Sequence, residues 1–274
     1  SLKGKAVDVE ASLGGIVLSR SPELKAAGVS IGMPIWDAKR HCPAMIALRT
    51  NFSWYQRCSH RMMQIFKNWS PVVEQYSVDE AFLDLQGLQK LYKKDYGAIG
   101  MDIKEQIKRE LGFTVSIGIS LNKTLAKMAS EVNKPGGVTL LSEAEIPACL
   151  SRFAAGDVPG IGRKSAALLS HHGIETCADF TEKKQDIVKA LLYRPGLDLW
   201  KELQGEQVFL LQTRQLPHES IRRTASFSPL SCDESLLWAR TIRRMEEALA
   251  TLHREGQLIG ELGLYFRDKD FQCY

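Results

Sequence analysis

Strand-like and helix-like stretches alternate between residues 71 and 150, and this alternation constrains the fold more than any other feature of the sequence. Strands are predicted at "VVEQYSV", "AFLDLQ", "FTVSIGI" and "GVTLL", and helices around "IGMDIKEQIKREL" and at "NKTLAKMASEV". Ser120 or Asn122 can cap the second of these helices. Alternation of this kind indicates a sheet layer with helices against it, in an α+β or α/β arrangement.

The segments on both sides of this region are predicted to be mainly helical. Residues 1–70 begin with two short strands, at Ala6–Val9 and Gly15–Ser19, and continue as helices. One of these helices starts after a capping serine, Ser21, and another shows an apolar stripe along "WYQRCSHRMMQIFKNW". Residues 151–213 are predicted to be helical with short glycine breaks.

The C-terminal part returns to strand signals. Residues 214–221 have the composition of a linker. Residues 222–274 predict a strand, then a long helix at "ESLLWARTIRRMEEALATLHREG", and then a strand at "IGELGLYF". With 274 residues, the chain is long enough for one to three domains of this kind.

Charge is distributed unevenly along the chain. Residues 1–70 hold ten Lys and Arg against four Asp and Glu, a balance of +6, whereas residues 71–150 hold nine against eleven, a balance of −2. The net charge of the whole chain is +4. A basic block therefore precedes an acidic one, which is a weak indication of an anionic partner.

Cysteine usage and hydropathy exclude several classes of protein. The six cysteines are scattered without any C-x-x-C pair, so neither a zinc site nor a disulfide framework is indicated. A reducing, cytoplasmic setting fits this usage best. No run of 18 apolar residues occurs, so no segment is expected to span a membrane and no membrane partner is predicted.

The stretch "YSVDEAFLDL" places two carboxylates, Asp79 and Glu80, side by side between two strand-like runs. Successive side chains of a strand point to opposite faces, but at a tight hairpin tip both can face one spot. Two hard oxygen ligands at one spot suit Mg²⁺, which commonly takes one or two carboxylates. A solvated Asp-Glu turn is the alternative, because Asp favours turns for local hydrogen-bonding reasons.

Three lysines accompany the helix in "NKTLAKMASEVNKPGG". Lys123 and Lys127 share one helix face at i,i+4 spacing, and Lys134 follows at a turn where its ammonium group could meet a phosphate. An amphipathic helix with solvated lysines is the alternative.

The segment "DVPGIGRKSAALL" resembles a helix-hairpin-helix unit. Gly160 and Gly162 let backbone N–H groups approach a phosphate, and Arg163 and Lys164 begin the following helix, whose N-terminus adds a positive dipole. Such a unit contacts the nucleic-acid backbone without reading bases. A glycine-rich connection between helices is the alternative.

These motifs occur in the order found in Y-family DNA polymerases, the translesion class that includes bacterial polymerase IV and the UmuC proteins. The chain resembles this family over nearly its whole length, and "GVSIGMPIWDAKRHCP" is similar to the family's fingers segment. The resemblance implies an α+β, right-hand polymerase fold with a mixed-sheet palm. It assigns a palm to residues 1–12 and 71–150, fingers to 13–70, a helical thumb with the helix-hairpin-helix to 151–213, a linker to 214–221 and part of an α+β little finger to 222–274.

The resemblance also implies an activity, namely low-fidelity addition of nucleotides to a primer 3′ end by two-metal phosphoryl transfer. Its implied partners are primed template DNA and a deoxynucleoside triphosphate, with the sliding clamp as a further candidate. Asp79 and Glu80 match the family's second carboxylate pair and would bind two Mg²⁺ ions. Ser77 matches a serine beside the primer end, and Lys134 matches a lysine that contacts the triphosphate.

Other matched positions lie outside the strand and helix alternation. Ser19 matches a hydroxyl position at the triphosphate. Lys25 stands where the family often has Arg, and Pro22 where it often has Tyr, so Lys25 keeps the charge but loses the bidentate geometry. Arg222 and Arg223 would contact the DNA backbone from the little finger.

The resemblance also shows departures from the family pattern at both ends. In the family, a strand with the first metal-binding Asp precedes the segment that matches "LKGKAVDV", whereas this sequence begins at "SLKGKAVDV". Asp8 lies on the later strand and is expected to be a surface carboxylate rather than a replacement. The expectation is therefore a polymerase truncated at both ends and inactive as given. A DNA-binding scaffold of the same family without catalysis is the alternative, and a plain helix-hairpin-helix repair module is a weaker one.

Overall fold

The first elements of the protein form a small three-stranded sheet with two short helices. The computed structural model describes residues 2–10, 15–214, 219–225, 227, 230–270 and 272. The sheet has the order β2-β1-β3, in which β1 is antiparallel to β2 and parallel to β3. The elements are β1 (Val7–Glu10), β2 (Val17–Arg20), α1 (Pro22–Ala26), α2 (Ile35–His41) and β3 (Ile46–Arg49).

Two separate two-stranded sheets and two long helices follow. The first sheet pairs β4 with β5 in an antiparallel hairpin, and the second pairs β6 with β7 in parallel, as expected when a helix crosses between the strands. The elements are α3 (Phe52–Trp69), β4 (Val73–Gln75), β5 (Ala81–Leu83), α4 (Leu88–Tyr92), α5 (Tyr96–Leu111), β6 (Ile117–Ile119), α6 (Lys123–Val132) and β7 (Val138–Leu140).

The next segment is helical, as the sequence predicts. Its hydrophobic core joins α6 to the later helices around Phe180, Leu169 and Leu203, which are fully buried. The last helix of this segment is interrupted at Tyr193, whose φ of 57° and ψ of −156° lie outside the helical region. The elements are α7 (Ile146–Leu150), α8 (Arg163–His171), α9 (Cys177–Thr181) and α10 (Gln185–Leu203), with short 3₁₀ turns at Glu143–Glu145 and Ala155–Asp157.

The chain divides into two compact units, Ser1–Thr213 and Arg214–Tyr274. The second unit contains one long helix, α11 (Glu234–Arg254), and its described residues contain no β-strand. The strand predicted at "IGELGLYF" is therefore wrong. A strand is stable only when a neighbour completes its ladder, and here the apolar residues of that segment remain exposed, with Leu262 at 65% and Tyr265 at 78%.

Two features of the first unit differ from the expected palm. The mixed sheet lies in residues 7–49, so β1 shares a sheet with β2 and β3 rather than with residues 71–150. Helix α3 packs on α5, and its core also contacts β4 and β5, so it lies with residues 71–117. The strands of residues 71–150 form two short sheets instead of one mixed sheet.

Asp8 is the clearest departure from expectation. Its residue exposure is 0%, so the expectation of a surface carboxylate is wrong. The sequence "VDVE" suggests buried valines and exposed carboxylates, but the structure covers the opposite face, which Asp8 shares with Glu10 because alternate strand residues point the same way. Among the described residues, neither carboxylate oxygen of Asp8 has a hydrogen-bond partner. Burial, and secondarily the nearby Glu10, raise the pKa of Asp8.

Candidate active site

The hairpin of β4 and β5 places Asp79 and Glu80 at its tip. The ladder pairs Val73 with Leu83 and Gln75 with Ala81. It continues into the turn, where the backbone N–H groups of Tyr76 and Ser77 donate to the Glu80 carbonyl at 3.0 and 3.1 Å. Strand alternation ends at this turn, which is why the two adjacent carboxylates lie close together. The Glu80 side chain is 45% exposed, and Asp79 is also exposed.

Ser77 orients the carboxylate of Asp79. Its hydroxyl donates to Asp79 Oδ1 at 2.8 Å and lies 3.5 Å from Glu80 Oε2. The backbone N–H of Asp79 in turn donates to Ser77 Oγ at 3.3 Å. The serine predicted to lie beside the primer end thus donates its hydrogen bond to Asp79 and lies close to Glu80.

The lysines of α6 face the hairpin rather than bulk solvent. Asn122 is the cap of this helix, because its Oδ1 accepts from the N–H of Leu125 at 3.0 Å. Lys127 forms an ion pair with Glu80, and its side chain is 24% exposed. Lys123 donates to both oxygens of Glu74 at 2.7 Å, and its side chain is only 14% exposed. The alternative of solvated lysines is therefore wrong for both.

Aromatic rings complete the contact between α6 and the hairpin. The ammonium group of Lys123 lies 5.0 Å from the ring centroid of Phe82 and 5.6 Å from that of Tyr76. The ammonium group of Lys127 lies 5.3 Å from the Tyr76 centroid. Ring faces attract cations at such distances, so the two rings help to hold both lysines beside the carboxylates.

A cleft of about 1480 Å³ is lined by residues of both small sheets and by the two carboxylates, Asp79 and Glu80. Its walls include the edges of β5 and β6, and its apolar lining includes Met62, Phe66 and Ile103. Among the described residues, β5 pairs only with β4 and β6 only with β7, so both strands present an unpaired edge. The charged residues that line the cleft are Asp79, Glu80, Asp84, Lys123, Lys127, Lys134 and Glu143.

The hairpin tip fits a small divalent cation. Mg²⁺ binds oxygen ligands and commonly uses one or two carboxylates, completing its shell with water and substrate phosphate. Asp79 and Glu80 supply two such carboxylates on an exposed turn. Across the described ranges, no group of three His, Cys, Asp or Glu side chains meets at one point. The described residues therefore supply two carboxylates to the candidate cation site at the hairpin tip.

The remaining predicted residues lie at several places in the first unit. Lys134 is exposed, lines the cleft and pairs with Glu131. Ser19 on β2 and Lys25 on α1 are exposed and are not part of the cleft lining, so the structure does not bring them to the carboxylates.

The predicted helix-hairpin-helix glycines have distinct conformations. Gly160 has a φ of 102°, where side chains are disfavoured, and a Cβ there would approach Leu199 to 3.2 Å. Gly162 is the N-cap of α8, and Arg163 and Lys164 are exposed on its first turn. In the second unit, Arg222 and Arg223 are exposed, and Arg223 donates to Thr251 Oγ1 at 2.6 Å.

Two buried glutamates were not predicted from the sequence. Glu202 on α10 is 0% exposed and accepts from the N–H groups of Thr124, Val208 and Phe209 at 3.2, 2.7 and 2.8 Å. Glu74 accepts from the N–H of Gln212 at 2.9 Å in addition to Lys123. The only local signal for Glu202 is its place beside Leu199 and Leu203 in an apolar stripe.

Solved structures share this fold. The crystal structure of DinB from Sulfolobus solfataricus superimposes with a TM-score of 0.67 at 26% identity, covering 77% of this chain and 63% of that one. The insertion ternary complex of Dbh DNA polymerase gives a TM-score of 0.68 at 26% identity with the same coverage. The fold and the carboxylate hairpin therefore define the class as that of Y-family DNA polymerases.

Sequence comparison specifies the family within this class. The impB/mucB/samB family matches residues 1–131. DNA polymerase IV of Listeria monocytogenes is 30% identical over 249 residues, which cover 89% of this chain and 69% of that protein. DNA polymerase IV 1 of Bacillus subtilis is 31% identical over 277 residues, covering 99% of this chain and 66% of that protein. The chain belongs to the DNA polymerase IV family.

The extent of these matches matters for function. The chain spans 66% of the Bacillus subtilis protein and 49% of DNA polymerase IV from Clostridium acetobutylicum, so it spans about half to two thirds of these relatives. The family match includes residues 71–131, which a plain helix-hairpin-helix repair module would leave unexplained. Within the described ranges, no helix is both long enough and apolar enough to cross a bilayer.

Proposed function

We propose that the protein is a DNA-directed DNA polymerase that adds nucleotides to a primer 3′ end during translesion synthesis. The observation that carries this proposal is the pair Asp79 and Glu80, which opens into a cleft together with Lys127 and Lys134. Its relatives are named DNA polymerase IV, and one solved relative is an insertion ternary complex. Primed template DNA and a deoxynucleoside triphosphate are accordingly the proposed substrates.

The hairpin tip is the proposed catalytic centre. Asp79 and Glu80 would hold two Mg²⁺ ions, which, when bound, lower the pKa of the primer hydroxyl and stabilise the charge on the leaving pyrophosphate. Ser77 fixes the orientation of the Asp79 carboxylate through its 2.8 Å hydrogen bond. Lys127 balances the charge of Glu80. Phosphoryl transfer needs mainly positioning and charge compensation of this kind from the protein.

The triphosphate is proposed to lie against the lysine side of the cleft. Lys134 is exposed there and can exchange its pairing with Glu131 for a phosphate oxygen. Ser19 and Lys25 are proposed as additional triphosphate contacts, because both are exposed and because they match nucleotide-binding positions in the resemblance. Because neither residue lines the cleft, these contacts require either a domain movement toward the cleft or a substrate that extends from the cleft to both residues.

A third carboxylate, implied by the resemblance, is proposed to enter on an extended segment between β5 and β6. Both strands present unpaired backbone groups to the cleft, and its lining is largely apolar. Unpaired strand edges readily accept another strand. A strand in this position would join the two small sheets into one and carry a side chain to the hairpin tip.

The helical segment is proposed to hold duplex DNA. The backbone of Gly160 and Gly162 and the exposed side chains of Arg163 and Lys164 form one surface at the start of α8. Arg222 and Arg223 are proposed to contact the backbone from the second unit. Such contacts are insensitive to sequence and weaken as salt rises, because binding releases counterions from the DNA.

Primer extension tests the proposal. In the longest form of the protein that its gene encodes, we expect nucleotide addition on a primed template with Mg²⁺, abolished by Asp79→Ala and by Glu80→Ala. The exposed residue Glu105 lies outside the cleft, so Glu105→Ala is the matched control and should retain activity. Extension that persists when Asp79 and Glu80 are both Ala would exclude the metal site. Binding of primed DNA without any extension would favour the scaffold alternative.

A further inference from the structure

The exposed face of α3 carries an unbalanced positive charge. The helix contains no aspartate or glutamate, and Arg57, His60, Arg61 and Lys67 are exposed, opposite a buried side that includes Met62 and Phe66. In the part of the chain that the structure describes, none of these four residues forms an ion pair. Arg61 donates to a backbone carbonyl, that of Glu110, at 3.5 Å.

The neighbouring helix shows what a balanced surface looks like in this protein. Helix α5 packs against α3 in one hydrophobic core. Its surface alternates in sign, with Asp102, Glu105 and Glu110 among Lys104, Lys108 and Arg109. Asp102 pairs with Lys94, and Glu110 lies 3.8 Å from Arg109. The unbalanced positive charge of α3 is therefore not shared by the helix that packs against it.

Two exposed aromatic residues stand at the start of the same helix. Phe52 is 61% exposed, and Trp54 is 44% exposed. Trp54 packs edge-on against Phe113 at 6.1 Å and lines the cleft of the candidate active site. Aromatic side chains beside a row of cations are the pattern that binds single-stranded nucleic acid, because every base has a face that can stack. A surface for an acidic peptide would not need them.

We infer that this cationic face of α3, from Phe52 to Lys67, binds single-stranded DNA of the template. The face is about 22 Å long, from the rise of 1.5 Å per helical residue. Arg57 and Arg61 border a surface depression with Ser53, Gln56 and His60, where guanidinium groups can hold a phosphate with paired hydrogen bonds. Phe52, at the start of the same helix, offers an exposed ring for stacking. The choice of template DNA as occupant rests on the proposed function.

The test compares two DNA ligands by fluorescence anisotropy without nucleotide and in EDTA. One is a blunt duplex, and the other is the same duplex with a 5′ single strand of about 12 nucleotides, within the ~4–16 nucleotides that such sites cover. We expect Arg57→Ala/Arg61→Ala to weaken binding of the overhang ligand roughly 10- to 30-fold and to leave the blunt duplex unchanged. The slope of log affinity against log salt should decrease in magnitude by about 1.4, at ~0.7 per phosphate contact on a single strand.

Two further variants keep the result interpretable. Lys104→Ala/Arg109→Ala removes the same charge from the balanced helix α5 and should leave binding of both ligands unchanged. Arg57→Lys/Arg61→Lys should restore most of the salt slope, because lysine keeps the charge while losing the paired geometry. Circular dichroism of each variant establishes that the exposed substitutions leave the fold intact.

Each outcome decides for or against the inference. An equal loss with the α5 variant, an equal loss on the blunt duplex, or no loss at all would overturn it. Binding of a labelled polyglutamate peptide that depends on Arg57 and Arg61, without overhang binding, would overturn it in favour of an acidic protein partner. Because the assay requires no catalysis, a protein that binds the overhang through α3 but never extends a primer would contradict the proposed function alone.

Discussion

The first unit holds two pairs of glutamate or aspartate side chains that differ in burial and in bonding. Glu74 and Glu202 are buried, and their carboxylates accept hydrogen bonds from backbone N–H groups and from the ammonium group of Lys123. Asp79 is exposed on a turn and accepts a hydrogen bond from a neighbouring serine, and the Glu80 side chain is 45% exposed and pairs with Lys127. The first pair is fixed by the fold, whereas the second remains accessible to a ligand.

This difference separates structural from chemical roles. Burial of a carboxylate is costly unless hydrogen bonds replace its lost hydration, and removal of a carboxylate that is bonded in this way leaves its donors unsatisfied. An exposed carboxylate contributes little to stability and is available to a cation. Glu202 links α10 by hydrogen bonds to the start of α6 and to residues 208–209. Glu74 accepts a hydrogen bond from Gln212, a few residues further along the same segment. Both therefore fix the path of the segment that leaves the helical region.

The largest expected effect on stability belongs to Glu202→Ala. The substitution leaves three N–H groups without this acceptor, one buried and two partly buried, and opens a small cavity, so we expect a loss of about 4 kcal/mol in the free energy of unfolding. Glu206→Ala is the control, because the Glu206 side chain is 56% exposed; its effect should stay within about 0.5 kcal/mol. Urea unfolding followed by circular dichroism measures both. Equal effects of the two substitutions would contradict a structural role for Glu202.

Glu74→Ala should have the next largest effect. It removes the acceptor of Lys123, which is mostly buried, and breaking such a pair from one side costs about 3 kcal/mol. Glu131→Ala, whose side chain is 47% exposed and pairs with exposed Lys134, is the control with little effect. A double-mutant cycle with Lys123→Met measures the coupling. The stabilising pairing of Glu74 with Lys123 would be contradicted if the loss of unfolding free energy in the double variant equalled the sum of the losses in the two single variants.

Asp8→Asn should have the smallest effect of the three substitutions on the free energy of unfolding, and it should raise that free energy rather than lower it. Asp8 is buried, and its carboxylate has no hydrogen-bond partner among the described residues, so Asp8→Asn removes a buried charge and should stabilise the protein by about 1–2 kcal/mol at neutral pH. Because the pKa of Asp8 is raised above the usual 3.8, the unfolded chain releases this proton first. Stability should therefore decline as pH rises above 3.8 and through the folded-state pKa, and the variant should lack this part of the decline. Urea unfolding of both proteins at about four pH values between 4 and 7 measures this difference in pH dependence. Parallel curves of unfolding free energy against pH would contradict the assignment.

Local signals in the sequence predicted much of the site. The capping of α1 by Ser21 and of α6 by Asn122 depends on residues three positions apart, and the β4–β5 hairpin depends on two apolar runs around a short turn. Each of these features requires only neighbouring residues. The adjacent carboxylates at the hairpin tip were predicted for the same reason.

Features that depend on distant partners were not predictable. The pairing of β1 with β3 joins residues about forty positions apart, and the burial of Asp8 likewise depends on tertiary contacts that the local sequence does not reveal. The role of Glu202 depends on the backbone of Thr124, far away in the sequence. The segment "IGELGLYF" has the composition of a strand, but composition cannot supply the neighbouring strand that its ladder requires.

The most direct test of this account replaces each of the four carboxylates by its amide and measures two quantities. The variants are Asp79→Asn, Glu80→Gln, Glu74→Gln and Glu202→Gln, in the longest form of the protein that its gene encodes. Single-turnover primer extension gives the rate, and urea unfolding gives the stability. We predict that the first two variants lose at least ~1000-fold in rate, equivalent to about 4 kcal/mol of barrier, with unchanged stability. The other two should lose stability and keep their rate within a few-fold wherever they are folded. Rates that fall with Glu74→Gln or Glu202→Gln but survive Asp79→Asn and Glu80→Gln would contradict the division between a chemical pair and a structural pair.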